Sequence, residues 1–440
     1  VLKDDAIVYR EPGIALLDDD GPTIGNAAYR SARIHPRRVV TKFWSALGTD
    51  ALPVRRFEHL SAADIASSQL ESMWAKVSAP GSRLLVAVPA YMTTAQLGLF
   101  LGICRELGIP VAGMVDAAVA ATRRQYRNAT TVHIDISLHS TLLTRLLAAG
   151  QAQVDSASVV EDAGLFSLYD AWIKAIAETF VQQSRFDPLH TAETEQMVLD
   201  RLPGWLAKAS AGETIPLHIE YQGVVHDAEM ESIGRVAAAA PVYQRIVSQL
   251  RTLCRADETP ALQLTDRAAS LPGLADMLKA RVGGETFMLE AAATARGLLA
   301  RCRNLEAGEQ VSLVRQLPWD QSAVDVRVES SGSDGGRPTH VLFENTAFRI
   351  NGTPLYFGTR PGDGERCVEL AQTMPGVSRK HCSLQDENGQ CVVRDFSRYG
   401  TFLNGHRISD SAVLAAGDNL RVGTPGFELR LIRVEGGDGA

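Results

Sequence analysis

Apolar positions over the first three hundred residues alternate between two textures. Short unbroken runs, Leu84–Val88 and 111–115, predict buried strands, while Leu97, Phe100, Leu101, Cys104 and Leu107 recur between them at helical spacing. Thr93 and Gln96 stand three apart ahead of that stripe and predict a capping box at its start. A further helix is expected over 117–127. Three strand-like segments follow, 130–136, 141–147 and 151–160, joined by short polar links that suggest a meander. Helical patterns are expected over 163–183 and 192–209, and a hairpin between Ile215 and His226 turning on Gln222-Gly223. A strand at 262–264, a helix opened by Pro272, a strand at 286–289 and a helix over 291–303 complete the region. Such alternation predicts an α/β domain built as two related halves.

Beyond residue 330 the texture changes. Ser330–Gly336 reads SSGSDGG, the composition of a flexible linker, and 316–328 before it follows neither period. Short alternating runs at 341–343, 347–350, 392–393, 402–403, 420–422 and 427–432 are separated by Gly, Asn and Pro. They predict an all-β domain of about a hundred residues. The expected organisation is an α/β domain over 1–303, a linker over 304–336, an all-β domain over 337–436 and a tail at 437–440.

Composition narrows the function classes. A chain of 440 residues with 45% hydrophobic and 22% charged positions is an ordinary globular one of two or three domains. Its formal charge of −7 gives no footprint for a phosphate backbone, so nucleic acid is not the expected partner. From Arg337 onward basic and acidic residues balance at 12 each, which puts the whole excess, 32 basic against 39 acidic, on the first region. The six cysteines show no C-x-x-C and no metal-ligand spacing, which points to a reducing cytoplasm and no bound metal. The 21 residues from Leu84 to Cys104 carry no charge, yet Pro89, Thr93, Thr94, Gln96 and Gly98 break them, so no membrane span is expected. There is no visible secretory signal. Neither a P-loop, an H-E-x-x-H nor a G-x-S-x-G occurs.

The most specific motifs lie near the end. Ser378-Arg379-Lys380-His381, then Asp395-Phe396-Ser397-Arg398-Tyr399-Gly400-Thr401-Phe402-Leu403-Asn404-Gly405, then Leu414, Gly417-Asp418 and Val422-Gly423, resemble the forkhead-associated (FHA) domain over about 339–434. The resemblance implies an eleven-stranded β-sandwich whose loops at one end bind phosphothreonine peptides. A phosphate carries close to two charges and three acceptor oxygens, so hydroxyl, amide and guanidinium donors suit it. Ser378 matches the family's phosphate-binding serine, and the implied phosphopeptide set is Ser378, Arg379, Arg360, Arg398, Thr401 and Asn404. His381 matches a histidine that braces the loop, and Asn404-Gly405 is first a tight turn. Two positions depart from the family: its Gly-Arg pair is Gly358-Thr359 here, with Arg360 one place late, and Tyr399 replaces an asparagine. Phosphate-dependent and phosphate-independent protein binding therefore both remain open.

The first region is similar to the actin-like ATPase superfamily, which includes the seventy-kilodalton heat-shock chaperones. Pro12-Gly13-Ile14-Ala15-Leu16-Leu17, Ile24-Gly25, Ala28, Ala32 and His35-Pro36 carry part of the likeness. Val86-Ala87-Val88-Pro89-Ala90-Tyr91 and Val115-Asp116-Ala117-Ala118-Val119-Ala120-Ala121 carry the rest. It implies a two-lobed α/β fold over about 1–303, followed here by the FHA-type sandwich. The superfamily's glycine-rich turns let backbone N–H groups approach phosphate. The first such hairpin would lie upstream of Val1. The second aligns with Asp135-Ile136-Ser137-Leu138-His139-Ser140 and the third with Thr265-Asp266-Arg267-Ala268-Ala269, neither holding a glycine. Asp116, Asp135, Ser137 and Asp266 are then vestiges of a nucleotide site, with Asp116 alternatively a helix N-cap and His139 a loop histidine. The expectation is a non-catalytic scaffold or adaptor with no cofactor and a protein partner, threonine-phosphorylated or not. The alternative is an active actin-like ATPase, chaperone-like or filament-forming, regulated through its FHA domain.

Overall fold

The computed structural model describes residues 1–148, 150–207, 214–255, 258–302, 311–326, 337–343, 346–362, 366–370, 376–404, 406–424 and 426–433. The expected linker core Ser330–Gly336, Gly405 and the tail lie outside the described residues. Two compact units are present: Val1–Cys254 with Thr259–Val326, and Arg327–Ala440 with Arg255–Glu258.

The first unit is built on a sheet ordered Glu285–Met288, Pro260–Leu264, Thr130–Ile136, Ser140–Leu147, Gln151–Glu161, with Gln316–Pro318 at the far edge. The middle three strands form the expected antiparallel meander, Ile134 lying opposite Leu143. Pro260–Leu264 and Glu285–Met288 run parallel to it, Leu262 level with Val132. Val132, Ile134, Ile136 and Leu143 pack with Trp172, Phe180 and Tyr243 from the helices Leu165–Ser184 and Ser232–Leu253. Trp172 satisfies its buried indole N–H on the Arg235 carbonyl at 2.9 Å, so this large ring is buried without an orphaned donor. A second core gathers Phe43, Ile65, Leu70, Phe100 and Met114 where the helices Ala62–Val77 and Thr94–Glu106 meet the parallel strands Leu84–Val88 and Val111–Asp116. Both helices open on reciprocal capping boxes, Ser61 with Asp64 and the expected Thr93 with Gln96.

Several boundaries move. The helix expected over 117–127 stops at Ala121, and Tyr126–Arg127 instead pairs in parallel with Val324–Asp325. Two charged contacts hold the chain out of the helix: Arg123 reaches Asp320 at 2.5 Å and the Arg124 Nε donates to the Gln321 side chain at 2.9 Å. The helix expected to open on Pro272 begins two residues later at Leu274, after Gly273 in the left-handed region at φ 75°. The helix Ser232–Leu253 has no counterpart in the sequence reading, because Pro241 in its interior masks the periodicity. The 304–336 linker is also shorter than expected. Leu313–Val314, Gln316–Pro318 and Val324–Asp325 all pair into sheets of the first unit. Gly297 shows how tightly this region packs, since a Cβ there would lie 1.9 Å from the Ala120 carbonyl oxygen.

The second unit is a sandwich. One sheet runs Thr346–Arg349, His340–Phe343, Phe427–Ile432, Asn419–Val422, Thr401–Leu403, His406–Arg407. The other runs Arg366–Glu369, Leu355–Gly358, Cys382–Glu387, Gln390–Asp395, Ser411–Leu414. Val341, Phe357, Leu384, Val393, Leu420, Leu429 and Leu431 fill the space between them. These eleven described strands match the number implied by the resemblance.

Candidate functional site

In the second unit, the segment after residue 376 and the loop 396–400 are held together around one buried histidine. His381 is fully buried; its Nδ1 accepts the Ser378 amide at 3.0 Å and its Nε2–H donates to the Gly400 carbonyl at 3.1 Å. This pairing requires the neutral ring, and burial pushes the His381 pKa below its ordinary value, in the same direction. The Ser378 hydroxyl oxygen accepts the Arg398 amide at 3.1 Å, which ties the two loops together and leaves the hydroxyl hydrogen to donate outward. Asp395 braces the second loop from below, accepting the Ser397 amide at 3.0 Å and the Thr401 hydroxyl at 2.8 Å.

Gly358 brings in the third segment. A Cβ there would sit 2.0 Å from the Arg379 carbonyl oxygen, so only glycine allows the approach. The Thr359 and Arg360 amides then donate to the Ser378 and Arg379 carbonyls at 3.2 and 3.0 Å. Arg360 is exposed, its backbone beside that of Arg379. Ser378, Arg379, Arg360 and Arg398 come together at one end of the sandwich.

Two expected members do not join them. Thr401 is wholly buried with its hydroxyl committed to Asp395, because it opens the strand Thr401–Leu403 on the inward side. Asn404 has its amide committed at both ends, donating to Asp418 at 2.9 Å and accepting the Asn419 amide at 2.9 Å. It stands in the left-handed region at φ 51° and fixes a turn. Sequence reasoning missed Arg407, whose Nε would lie 2.7 Å from a Cβ on Gly400. No motif marks it; only the need for a bare backbone at Gly400 gives it away. It also missed that the Lys380 ammonium lies 3.7 Å from the centre of the Tyr356 ring.

In the first unit, the aligned turns are closed on themselves. Ser137 donates its amide to the Ser140 carbonyl at 2.8 Å, and its hydroxyl both donates to that carbonyl at 2.9 Å and accepts the Ser140 amide at 3.1 Å. Gly164 packs against this turn so closely that a Cβ would lie 2.4 Å from the His139 carbonyl carbon. The His139 ring reaches Thr41, with 3.0 Å between Nε2 and the hydroxyl. Thr265 caps the short helix Asp266–Ala269, its side chain accepting the Ala268 amide and its carbonyl the Ala269 amide. Asp135 accepts the Thr265 hydroxyl at 2.9 Å and both of its oxygens lie within 2.9–3.0 Å of the Arg267 guanidinium. That carboxylate raises the Arg267 pKa further. Tyr91, buried nearby, has its phenol pushed up to about 12, chiefly by burial and further by the Asp135 charge. Asp116 is a buried N-cap accepting the Ala118 and Val119 amides at 2.9 and 3.2 Å, and burial raises its pKa. Asp266 sits at the start of its short helix, 3.5 Å from Arg10. Arg10, Arg267, Tyr29, Tyr169, Leu138 and Leu271 help line a cavity of about 760 Å³.

Among the described residues no cluster of three His, Cys, Asp or Glu could hold a metal ion, and no helix is long and apolar enough to cross a membrane. No curated protein matches the chain. Residues 365–423 match the FHA domain family, so the buried-histidine scaffold and its loops belong to an FHA domain, a module for binding phosphopeptides and proteins.

Proposed function

We propose that the chain is a cytoplasmic, non-catalytic adaptor that takes a threonine-phosphorylated protein on the loops around Ser378 and carries an actin-like body that does not cycle on nucleotide. The observation that supports phosphate binding most is the state of Ser378: its oxygen is held by the Arg398 amide while its hydrogen stays available, with Arg379 and Arg360 alongside. Hydrogen bonds to a charged group contribute about 1.5–3 kcal/mol. Ser378→Ala should therefore weaken binding to a phosphothreonine peptide library by about ten- to a hundredfold. Unchanged affinity in titration calorimetry would remove Ser378 from the site, and equal binding of unphosphorylated peptides would make the domain a phosphate-independent one.

The actin-like part of the proposal rests on two supports. One is the sheet order, three antiparallel strands flanked on one side by two parallel strands, with helices between them. The other is the location of the Asp135 and Thr265 turns at the ends of adjacent parallel strands, where a nucleotide would need them. Loss of nucleotide cycling is read from the same turns: neither holds a glycine to let backbone N–H groups approach phosphate, and the Ser137 and Ser140 amides are already paired within their turn. The Arg267 guanidinium already neutralises the carboxylate that would otherwise order a cation.

A further inference from the structure

The FHA unit carries equal numbers of basic and acidic residues, yet its charges are not evenly spread. Arg337 pairs with Asp386 and Arg394 with Glu387, away from the Ser378 loops. Around those loops stand Arg360, Arg379, Arg398 and Arg407, all exposed, and none forms an ion pair among the described residues. Glu369, exposed and level with Gly358 on the neighbouring strand, makes no ion pair with any of them. The backbones bearing these arginines are linked through one short network: Arg360 N to Arg379 O, Arg398 N to Ser378 Oγ, and Arg407 lying across Gly400, whose carbonyl His381 holds. Lys380 lies on the same loop, positioned over the Tyr356 and Phe396 rings at 3.7 and 5.7 Å.

A single phosphate brings about two negative charges. Four exposed guanidiniums on linked loops exceed that, and a cluster of one sign favours a partner that brings further negative charge. Tyr399, half-exposed where an asparagine amide would grip a peptide backbone, supplies no such grip. Affinity must then come from charge. Resting on the phosphothreonine reading above, we infer that this end of the sandwich selects phosphopeptides with acidic residues beside the phosphothreonine. The phosphate goes to Ser378 and the nearest arginines, and the flanking carboxylates to the remaining cations.

The test uses the full chain and four fluorescent probes, read by anisotropy. These are a phosphothreonine peptide flanked by Asp and Glu, the same peptide flanked by Ala and Ser, the acidic peptide without phosphate, and a single-stranded oligonucleotide of equal charge. Each exposed charge pair is worth a few-fold in affinity, so two or three flanking carboxylates should tighten binding by about tenfold at low salt. That gap should close to about twofold or less near 1 M salt, where the screening length is about 3 Å. Arg407→Gln should narrow it, weakening the acidic phosphopeptide more than the neutral one. Equal affinity for acidic and neutral phosphopeptides overturns the inference and leaves the phosphate reading intact. Equal affinity for the acidic peptide with and without phosphate overturns the phosphate reading itself. If the oligonucleotide binds as tightly as the acidic phosphopeptide, the patch is a general polyanion surface and the inference fails.

Discussion

The two units each present a short polar turn beside charged side chains, one around Ser378 and one around Ser137, and the two turns contain similar residue types. What separates them is which donors are already spoken for. At Ser378 the amide goes to His381 and the oxygen to Arg398, but the hydroxyl hydrogen and four exposed arginines have no side-chain acceptor among the described residues. At Ser137 the amide and the hydroxyl donate to the Ser140 carbonyl and the Ser140 amide returns to the Ser137 hydroxyl, and the neighbouring Asp135 is occupied by Thr265 and Arg267. A serine in a turn beside a carboxylate or an arginine is therefore not evidence of a site. An uncommitted donor held in place by committed ones is.

The sharpest way to break this contrast is at the backbone approach that assembles the FHA loops. Gly358→Ala places a carbon 2.0 Å from the Arg379 carbonyl oxygen and 3.0 Å from that of Ser378. The obstructing atoms are backbone, so relief requires the two segments to part and the Thr359 and Arg360 hydrogen bonds to go with them. A cost of about 3 kcal/mol or more is expected, read as a lowered denaturation midpoint of the FHA unit, together with loss of phosphopeptide binding. All five tryptophans precede residue 327, so tryptophan fluorescence should report an unchanged first unit. A Gly358→Ala chain that binds phosphopeptide normally would show that the close approach does not build the site.

The next effect is smaller and tests the other side of the comparison. Adding millimolar Mg-ATP to the wild-type chain should leave the tryptophan-monitored midpoint in place, because a ligand that binds only the native state must raise it. Arg267→Ala removes the cation paired with Asp135. That pair is half-exposed on the arginine side and Thr265 still donates to the carboxylate, so the loss should be about 1 kcal/mol. It should confer no stabilisation by Mg-ATP, since both turns still lack the glycines that let backbone approach phosphate. A rise of several degrees with nucleotide, in either protein, would establish that the first unit still binds it.

How far the sequence carries depends on the kind of signal. The capping box at Thr93 and Gln96 and the hairpin at Gln222-Gly223, with φ of 51° and 77°, are legible because their chemistry is local. So is the scaffold pair of Ser378 and His381. For Thr401 and Asn404 the motif fixes a position in the chain and not the direction of the side chain. Thr401 points inward at the start of a strand, while Asn404 spends its amide on Asp418 and Asn419. Arg407 and the Arg267–Asp135 pair were invisible, since each depends on segments brought together only by the fold. The truncated helix at Ala121 has the same origin: its alanines favour continuation, and Asp320 and Gln321, two hundred residues on, end it.

The smallest expected effect concerns protonation of the brace. His381 is buried with Nδ1 accepting the Ser378 amide, and a proton on that nitrogen would set two N–H donors against each other. Burial holds its folded-state pKa below the ordinary value near 6.5. The unfolded chain therefore binds this proton first as pH falls. The stability contribution is fully present above about pH 6.5 and is lost as pH drops toward the lowered folded-state pKa, at no more than about 1.4 kcal/mol per pH unit. His133 in the first unit is also buried with a lowered pKa and follows the same sign, so a whole-chain melt would mix the two. Hydrogen exchange at the Ser378 amide separates them. Its protection should hold from pH 8 to about 6.5 and weaken below that, after correction for intrinsic exchange, in protein free of peptide so that phosphate titration near pH 6 does not intrude. Protection that stays constant down to pH 5 would mean that the Ser378 amide does not depend on a neutral imidazole, and the loop pair would need another brace.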